Sequence, residues 1–472
     1  MDNILNLKIE NCNITDVIPV CSEDKKTNAL RIIFTSSFGE KSYICTALHL
    51  PQNWNGRFLG LGNGGMGGSV GKIPPWQYLS LGYATACTDM GTSKYLSSEI
   101  PKANVELYKD YTYRSTHIMT VASKEIIKEY YGKEIEFSYF YGESAGGLQA
   151  FSEVQRYPED YDGVLAGVPS NNAINLIVYF LYLFQKLHTK DGTALINKDE
   201  AKIINEKSVE FFRKYDLVKG NDDFIEYPYV DENTVDNFIK YLKETTNLTD
   251  NQLSILKDMY NGPRNSKTGE QLFCGLPIGS EINYGFSDKV KFGLSWFRLF
   301  FKEGYSDWDF DFSDYYDKFF NAVGKDFCAN NPDISAFNSR GGKFIVFSGL
   351  ADPSGPYADA IKYYNRVCKK LGGFENVSKF FKFFLLPGKG HGAEGLGVNK
   401  IMGEDNKLNL IETLRKWREE NKNPNYLTCF HVDKIDGEEK VKFTRKVYPY
   451  KGDKKEGKDF PKTTCDRFLE GN

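Results

Sequence analysis

A serine framed by two glycines is the clearest candidate for a catalytic residue in this sequence. The segment Gly142-Glu-Ser144-Ala-Gly146 directly follows the apolar, strand-like residues 137–141 and precedes a segment able to form a helix. A G-x-S-x-G turn between a strand and a helix exposes the serine hydroxyl as a nucleophile, and its glycines are needed because the turn leaves no room for side chains. The alternative is a tight strand-to-helix turn with an inert serine. We predict that Ser144 is the nucleophile.

A nucleophilic serine needs a base, and His391 is the best placed of the five histidines. It lies in Pro387-Gly-Lys-Gly-His391-Gly, a loop after the last strongly apolar strand. The other histidines lie within strand, helix or charged patterns, at positions 49, 117, 188 and 431. The alternative for His391 is a structural role in its loop.

An acid must orient that base, and Asp352 follows the predicted strand that ends at Gly349. Asp359, in a predicted helix, and Asp333, ahead of the strand, are alternatives. The chain order Ser144, Asp352, His391 is that of α/β-hydrolases. Each residue follows a strand, so we expect all three at the carboxyl edge of one sheet.

Acyl transfer also needs hydrogen-bond donors for the oxyanion of the tetrahedral intermediate. The backbone N–H of Ala145 is the first expected donor, and the glycine loop Gly62-Asn-Gly-Gly65 supplies the second, from Gly64 or Gly65. A phosphate-binding loop is the rival interpretation. The segment has neither the lysine of a P-loop nor the glycine spacing of a dinucleotide-binding turn.

The order of predicted elements indicates how these residues are brought together. Strands and helices alternate up to about residue 170 and again after residue 331, which predicts an α/β fold with a mostly parallel central sheet and helices on both faces. Residues 171–330 are instead helical, charged and aromatic, without that alternation. We therefore predict a catalytic domain formed by residues 1–170 and 331–472, with residues 171–330 inserted as a domain of their own.

Composition excludes several other classes of protein. The 472 residues are 41% hydrophobic, and the net charge is −3, which argues against wholesale disorder and against nucleic-acid or anionic-membrane partners. The longest apolar run, residues 176–184, is far shorter than the roughly 20 residues of a membrane span. Without a signal-peptide pattern, the chain is expected to be cytoplasmic or a mature secreted form. The nine cysteines show no metal-binding spacing, so we predict free thiols, with one or two disulfides as the alternative.

Several segments together resemble the tannase and feruloyl esterase family. They cover about residues 40 to 400 and comprise Trp54-Asn-Gly-Arg-Phe-Leu-Gly-Leu-Gly-Asn-Gly-Gly, Gly82-Tyr-Ala-Thr-Ala-Cys-Thr-Asp89, Tyr139-Phe-Tyr-Gly-Glu-Ser-Ala-Gly-Gly147, Arg156-Tyr-Pro-Glu-Asp-Tyr-Asp-Gly163, and Asp333-Ile-Ser-Ala-Phe through Arg340-Gly-Gly-Lys to Asp352-Pro. The resemblance implies an α/β-hydrolase with a lid domain that cleaves esters of aromatic acids, in some cases attached to plant polysaccharide. It places the catalytic triad on Ser144, Asp352 and His391.

Two departures from the family pattern are visible. The family usually carries cysteines before the nucleophile and after the histidine, joined in a disulfide, but Glu143 and Gly392 stand at those positions here. Many members also bind a structural calcium in the lid, and the matching ligands here would be Asp216, Asp223, Asn221 and Ile225. Lys219 stands where another acid is expected, and its ammonium repels a divalent cation, so we expect no calcium.

The predicted reaction is therefore two-step ester hydrolysis through an acyl-enzyme, without an organic cofactor. The expected partner is a small aromatic ester of the hydroxycinnamic or gallic type. A general short-chain carboxylesterase or peptidase is one alternative function. A non-catalytic protein that binds aromatic glycosides on the same scaffold is another.

Overall fold

The computed structural model describes most of the 472 residues of the chain. All statements below concern these residues, which are 2–40, 42–65, 67–92, 105–226, 231–283, 306–404, 406–435 and 437–452.

A nine-stranded sheet forms the centre of the protein. Its strands are β1 (Cys12–Cys21), β2 (Asn28–Ser36), β3 (Ile44–Pro51), β4 (Arg57–Leu61), β5 (Ala84–Thr88), β6 (Phe137–Glu143), β7 (Gly163–Gly167), β8 (Lys343–Gly349) and β9 (Phe381–Leu386). The order across the sheet is β1-β2-β3-β5-β4-β6-β7-β8-β9. The pairings from β5 to β9 are parallel, and those from β1 to β5 through β3 are antiparallel. The predicted mostly parallel sheet is confirmed.

The described chain contains fourteen α-helices besides this sheet. They are α1 (Asp2–Leu5), α2 (Trp76–Leu79), α3 (Val105–Lys109), α4 (Ser115–Tyr131), α5 (Ala145–Arg156), α6 (Ala173–Leu187), α7 (Lys198–Arg213), α8 (Glu232–Thr245), α9 (Asp250–Asn261), α10 (Asp314–Phe327), α11 (Ser335–Ser339), α12 (Tyr357–Lys370), α13 (Phe374–Val377) and α14 (Leu410–Glu420). A π-helical turn, Asp110–Arg114, joins α3 to α4.

Side chains of the central strands alternate between two separate cores. Phe140 and Val164 pack with residues of α4, α5 and α12, whereas their neighbours Tyr139 and Leu165 pack against α14. This period-2 alternation in strands that are apolar throughout is what a sheet covered on both faces requires. The α/β fold is thus dictated by continuous apolar strand segments.

Helices α6 to α9, which lie between β7 and β8 along the chain, form a third core. Because β7 and β8 are adjacent parallel strands, residues 168–342 are an excursion from the sheet. Its contacts with the loop after β8 include two hydrogen bonds. The Tyr179 hydroxyl donates to the Pro353 carbonyl oxygen at 3.1 Å, and the Asn283 amide donates to the Ala351 carbonyl oxygen at 2.9 Å. The domain boundaries and the lid role of residues 171–330 stay predictions.

The lysine-rich stretch that directly follows Gly437 contains a strand. This strand is β12 (Glu438–Val447), which pairs with β11 (Leu427–Ile435), and β11 pairs with β10 (Lys400–Met402) in a three-stranded antiparallel sheet. Most side chains of β12 are exposed. The hairpin was missed because charges on both faces of an edge strand hide its alternation.

The eight described cysteines are free thiols, and Cys465 lies outside the described residues. Within the described ranges, no helix combines the length and apolar character needed to cross a bilayer.

Candidate active site

Ser144 lies in a strained turn between β6 and α5. Its φ of 57° and ψ of −117° are unusual for a residue with a side chain, and such strain is typical of functional turns. The flanking glycines explain how the turn closes. A Cβ on Gly142 would lie 2.2 Å from the Gly146 carbonyl oxygen. The structure therefore gives Ser144 the geometry of a nucleophile elbow.

The early glycine loop packs directly on the start of α5. A Cβ on Gly146 would lie 2.8 Å from the Asn63 carbonyl oxygen, so only glycine permits this backbone approach. Gln149 fixes the loop from the helix. Its side-chain oxygen accepts from the Asn63 backbone N–H at 2.8 Å, and its amide donates to the Asn63 side-chain oxygen at 3.1 Å. The sequence does not single out Gln149, because α5 carries several other polar residues, among them Ser152, Glu153 and Gln155.

The three predicted oxyanion residues lie at this junction. Ala145 is the first residue of α5, where backbone N–H groups lack partners within the helix and favour negative charge. Gly64 and Gly65 follow the anchored Asn63 and are exposed, and a Cβ on Gly64 would meet nothing within 4 Å. The region beside the serine thus combines the N–H groups of a helix N-terminus with open space. Which N–H groups bind an oxyanion stays a prediction.

Asp352 and His391 form a hydrogen-bonded pair at the same edge of the sheet. The Asp352 carboxylate is fully buried, and its Oδ2 lies 2.9 Å from Nδ1 of His391. Its Oδ1 accepts from the backbone N–H groups of Ser354, at 2.8 Å, and Gly355, at 3.0 Å. An acceptor-only carboxylate leaves the proton on Nδ1, so Nε2 is the free acceptor of the neutral ring.

Charged neighbours set the affinity of His391 for protons. Burial lowers the pKa of the imidazole, but the negative charge and hydrogen bond of Asp352 raise it more strongly when combined with the charges of Glu394 and Glu143. The net result is a pKa above its ordinary value. Glu143 immediately precedes Ser144 and lines the same cavity as Gly392, so the elbow and the histidine loop are neighbours.

The rival residues are engaged elsewhere. Asp359 accepts a hydrogen bond from Asn172 at 2.9 Å, and Asp333 lies 3.5 Å from the Lys370 ammonium. His117 also pairs with an aspartate, Asp160, at 2.6 Å, but near the far end of α5 from Ser144. Pairing of a histidine with an aspartate therefore does not by itself mark the site, and position at the carboxyl edge of the sheet does.

Glu143 and Gly392, which replace the expected cysteines, line one cavity of about 430 Å³ on the α14 side of the sheet. The Tyr141 hydroxyl donates a hydrogen bond to Glu143. The backbone N–H of Gly392 donates to the Glu394 carboxylate at 2.7 Å. Hydrogen bonds and an open cavity are therefore found where the family pattern has a disulfide.

The four residues proposed as calcium ligands lie in the connection after α7. Asp216 occupies a left-handed turn with φ of 59°, Asn221 and Asp223 follow it, and the Ile225 side chain is buried. In the described chain, no three histidine, cysteine, aspartate or glutamate side chains converge as a metal-binding group.

Cations of the protein itself already compensate the acids of this connection. The pairs are Arg445–Asp222 at 2.7 Å, Lys219–Glu226 at 2.7 Å and Lys442–Asp223 at 3.7 Å. Two of the three cations come from β12. A divalent ion needs six to eight oxygen ligands and is repelled by ammonium and guanidinium groups. These residues do not fit a calcium ion.

A strained serine after a central strand, with a histidine–aspartate pair at the same sheet edge, is the arrangement of an α/β-hydrolase. Known structures agree on the fold. Feruloyl esterase B from Aspergillus oryzae superimposes with a TM-score of 0.81 at 23% identity, covering 94% of this chain and 93% of that one. Tannin acyl hydrolase from Aspergillus niger gives 0.74 at 17% identity, covering 95% and 92%.

Sequence comparison identifies the family. The model of the family described as tannase and feruloyl esterase matches residues 28–297 and 307–456. A probable feruloyl esterase B of Aspergillus niger is 29% identical, over 93% of this chain and 87% of its own length. A probable feruloyl esterase of Arthroderma benhamiae is 30% identical, over 89% and 82%. The chain belongs to the tannase and feruloyl esterase family, and the predicted enzyme class, a carboxylic ester hydrolase, is confirmed.

Proposed function

We propose that the protein is a serine esterase that releases an aromatic acid of the hydroxycinnamic or gallic type from its ester. The observation that carries the proposal is the strained Ser144 at the sheet edge where Asp352 holds His391 by hydrogen bond. The relatives named feruloyl esterases support an aromatic acyl group in the substrate. The substrate proposed for this protein is a small aromatic ester or an aromatic ester attached to plant polysaccharide.

The reaction proceeds in two acyl transfers. Neutral His391 takes the proton of the Ser144 hydroxyl through Nε2 while the serine oxygen attacks the ester carbonyl. The backbone N–H of Ala145 and an N–H from Gly64 or Gly65 stabilise the oxyanion. Asp352 stabilises the imidazolium, which then gives its proton to the departing alcohol. Water, deprotonated by His391, attacks the acyl-enzyme and releases the acid and Ser144.

Residues 171–330 act as the lid that shapes the acyl pocket. Their hydrogen bonds to Ala351 and Pro353 flank Asp352 on both sides, so the lid and the acid of the triad share one support. The reaction uses no organic cofactor, and the pairs made by Arg445, Lys219 and Lys442 stabilise the connection after α7 in place of calcium.

The test is release of acid from methyl ferulate, methyl gallate and p-nitrophenyl acetate by the wild-type protein and by Ser144→Ala. Turnover of an aromatic ester that falls at least about 10³-fold in Ser144→Ala is the expected result. Ser152→Ala is the matched control, because Ser152 lies buried in the same helix and its hydroxyl has no hydrogen-bond partner in the described part of the chain. Its activity should equal that of the wild type.

Other outcomes identify the alternatives. Turnover of the acetate alone would replace the aromatic substrate by a general short-chain ester. Undiminished turnover by Ser144→Ala would contradict the mechanism. Failure of a fluorophosphonate to label Ser144, together with binding of an aromatic glycoside, would favour the non-catalytic protein.

A further inference from the structure

Lys389 is a buried cation that the reaction described above does not use. It lies two residues before His391, and only 5% of its surface is exposed. In the described residues no carboxylate lies within ion-pair distance of its ammonium, which instead donates a hydrogen bond to the carbonyl oxygen of Gly392. Burying an ammonium costs free energy that hydrogen bonds must offset. The hydrogen bond to Gly392 is therefore the contact that a function of Lys389 would use.

The loop that carries His391 has few side chains to hold it. Glycines occupy positions 388, 390, 392, 395 and 397. Its base is closed by backbone hydrogen bonds, from Val398 to Pro387 at 3.0 Å and from Gly397 to Gly388 at 3.0 Å. A glycine-rich loop gains little rigidity from rotamer packing, because glycine backbones reach many conformations.

Two side chains restrain the tip of the loop at the residue that follows His391. Glu394 accepts from the Gly392 N–H at 2.7 Å, and Lys389 donates to the Gly392 carbonyl. The backbone N–H and the carbonyl of Gly392 are thereby both fixed by side chains. Packing does not replace these bonds, since Lys389 and Gly392 line the cavity of about 430 Å³ rather than a filled core.

Lys389 is also anchored to the loop that carries the acid. The Ala351 N–H, adjacent to Asp352, donates to the Lys389 carbonyl oxygen at 3.0 Å. A Cβ on Gly349 would lie 2.4 Å from that oxygen, so the two loops are in close backbone contact. The backbone of Lys389 is thus fixed relative to Asp352, while its ammonium fixes the residue beyond His391.

We propose that Lys389 is a positioning residue that holds His391 between Asp352 and Ser144 through the hydrogen bond from its ammonium to the Gly392 carbonyl. This inference rests on the proposed function, because His391 must be the base of the reaction. A base displaced by about 1 Å loses much of its effect on the rate but leaves substrate binding largely unchanged.

The test compares Lys389→Met, Lys389→Arg and the wild type in kcat, KM and the rate of fluorophosphonate labelling of Ser144. Lys389→Met should lower kcat and the labelling rate about 10- to 100-fold, with KM within about twofold. Lys389→Arg keeps a donor and should recover most of the loss. The low-field proton NMR signal of the His391–Asp352 hydrogen bond should broaden in Lys389→Met and return in Lys389→Arg.

Lys382→Met is the matched control. Lys382 is a second buried lysine, 7% exposed, in β9, and its ammonium lies 6.0 Å from the Trp417 ring on the α14 face. Lys382→Met should leave kcat and the labelling rate unchanged. If the loss of any buried lysine lowered activity, Lys382→Met would lower it as well.

The outcomes separate this inference from the function on which it rests. A wild-type protein that is labelled at Ser144, with Lys389→Met labelled at the same rate, overturns the role of Lys389 alone. An equal loss in Lys382→Met, or in Lys389→Arg, also overturns it. A wild-type protein that is not labelled overturns the serine mechanism as well. If Lys389→Met does not fold, Lys389→Gln is judged by the same measurements.

Discussion

The two loops that form the candidate active site are held in place by different means. The turn at Ser144 is fixed by backbone contacts, in which Gly142 and Gly146 permit approaches that any Cβ would block. The loop of His391 is closed at its base by backbone hydrogen bonds, but His391 and Gly392 at its tip are also held by side chains, those of Asp352, Glu394 and Lys389. Backbone sterics leave few alternatives, whereas side-chain hydrogen bonds can be exchanged for others. We therefore expect substitutions at the serine turn to be poorly tolerated and those around the histidine to have graded effects.

The largest effect around the histidine is expected from Asp352→Asn. An amide in place of the carboxylate favours the wrong tautomer of His391 and cannot stabilise the imidazolium, so kcat should fall about 10³- to 10⁴-fold. Steady-state kinetics on the best ester of the panel measures the loss. Asp359→Asn, which changes the rival acid, should stay within about fivefold of the wild type. The reverse order would transfer the role of the acid to Asp359.

Gly146→Ala tests the steric half of the comparison. The new Cβ would lie 2.8 Å from the Asn63 carbonyl oxygen, a backbone atom that cannot move aside without displacing the oxyanion loop. We expect kcat to fall about 10- to 100-fold. At Gly392 the same substitution meets the end of the Glu394 side chain at 2.7 Å, which can rotate away. A loss at Gly392→Ala as large as that at Gly146→Ala would contradict the contrast.

Glu394→Gln should have a smaller effect, with a characteristic pH dependence. The variant loses a negative charge that raises the pKa of His391, so that pKa falls. Because the reaction needs neutral His391, the acid limb of kcat/KM should move to lower pH, and kcat at the optimum should fall about two- to fivefold. Glu375→Gln, at an exposed position of α13, should leave the limb in place. If the acid limb of Glu394→Gln does not move, the Glu394 carboxylate positions the loop but does not change the pKa of His391.

The smallest effect on activity is expected at the charged pairs of the connection after α7. A chelator should change neither the Tm nor the kcat, because the acids after α7 are compensated by cations of the chain. Arg445→Met should lower the free energy of unfolding by about 1 to 3 kcal/mol, as it removes a partly buried guanidinium paired with Asp222. Lys442→Met, at an exposed pair, should cost less than about 0.5 kcal/mol. A fall in Tm on chelation would restore the calcium site.

Much of the site was predictable because its signals are local. The glycines around Ser144 meet a steric requirement of that turn, and the strands before Ser144, Asp352 and His391 are mostly apolar. Asp352 was preferred over Asp359 and Asp333 from its place after a strand, and its pairing with His391 agrees with that preference. The hairpin of β11 and β12 was missed, since its charged edge strand carries no clear alternation.

By itself the sequence determined the α/β fold and the turn of Ser144, because apolar periodicity and glycine sterics depend on neighbouring residues along the chain. Only the tertiary structure decided that Gln149 anchors the glycine loop at Asn63, that Arg445 of β12 compensates acids near α7, and that Lys389 reaches Gly392. In these contacts, polar side chains meet partners that are distant along the chain or carry no sequence signal. The partners are known only once the folded chain brings them within hydrogen-bond distance. From the sequence, a lysine between two glycines is expected to be a solvated loop residue, and only the fold buries it.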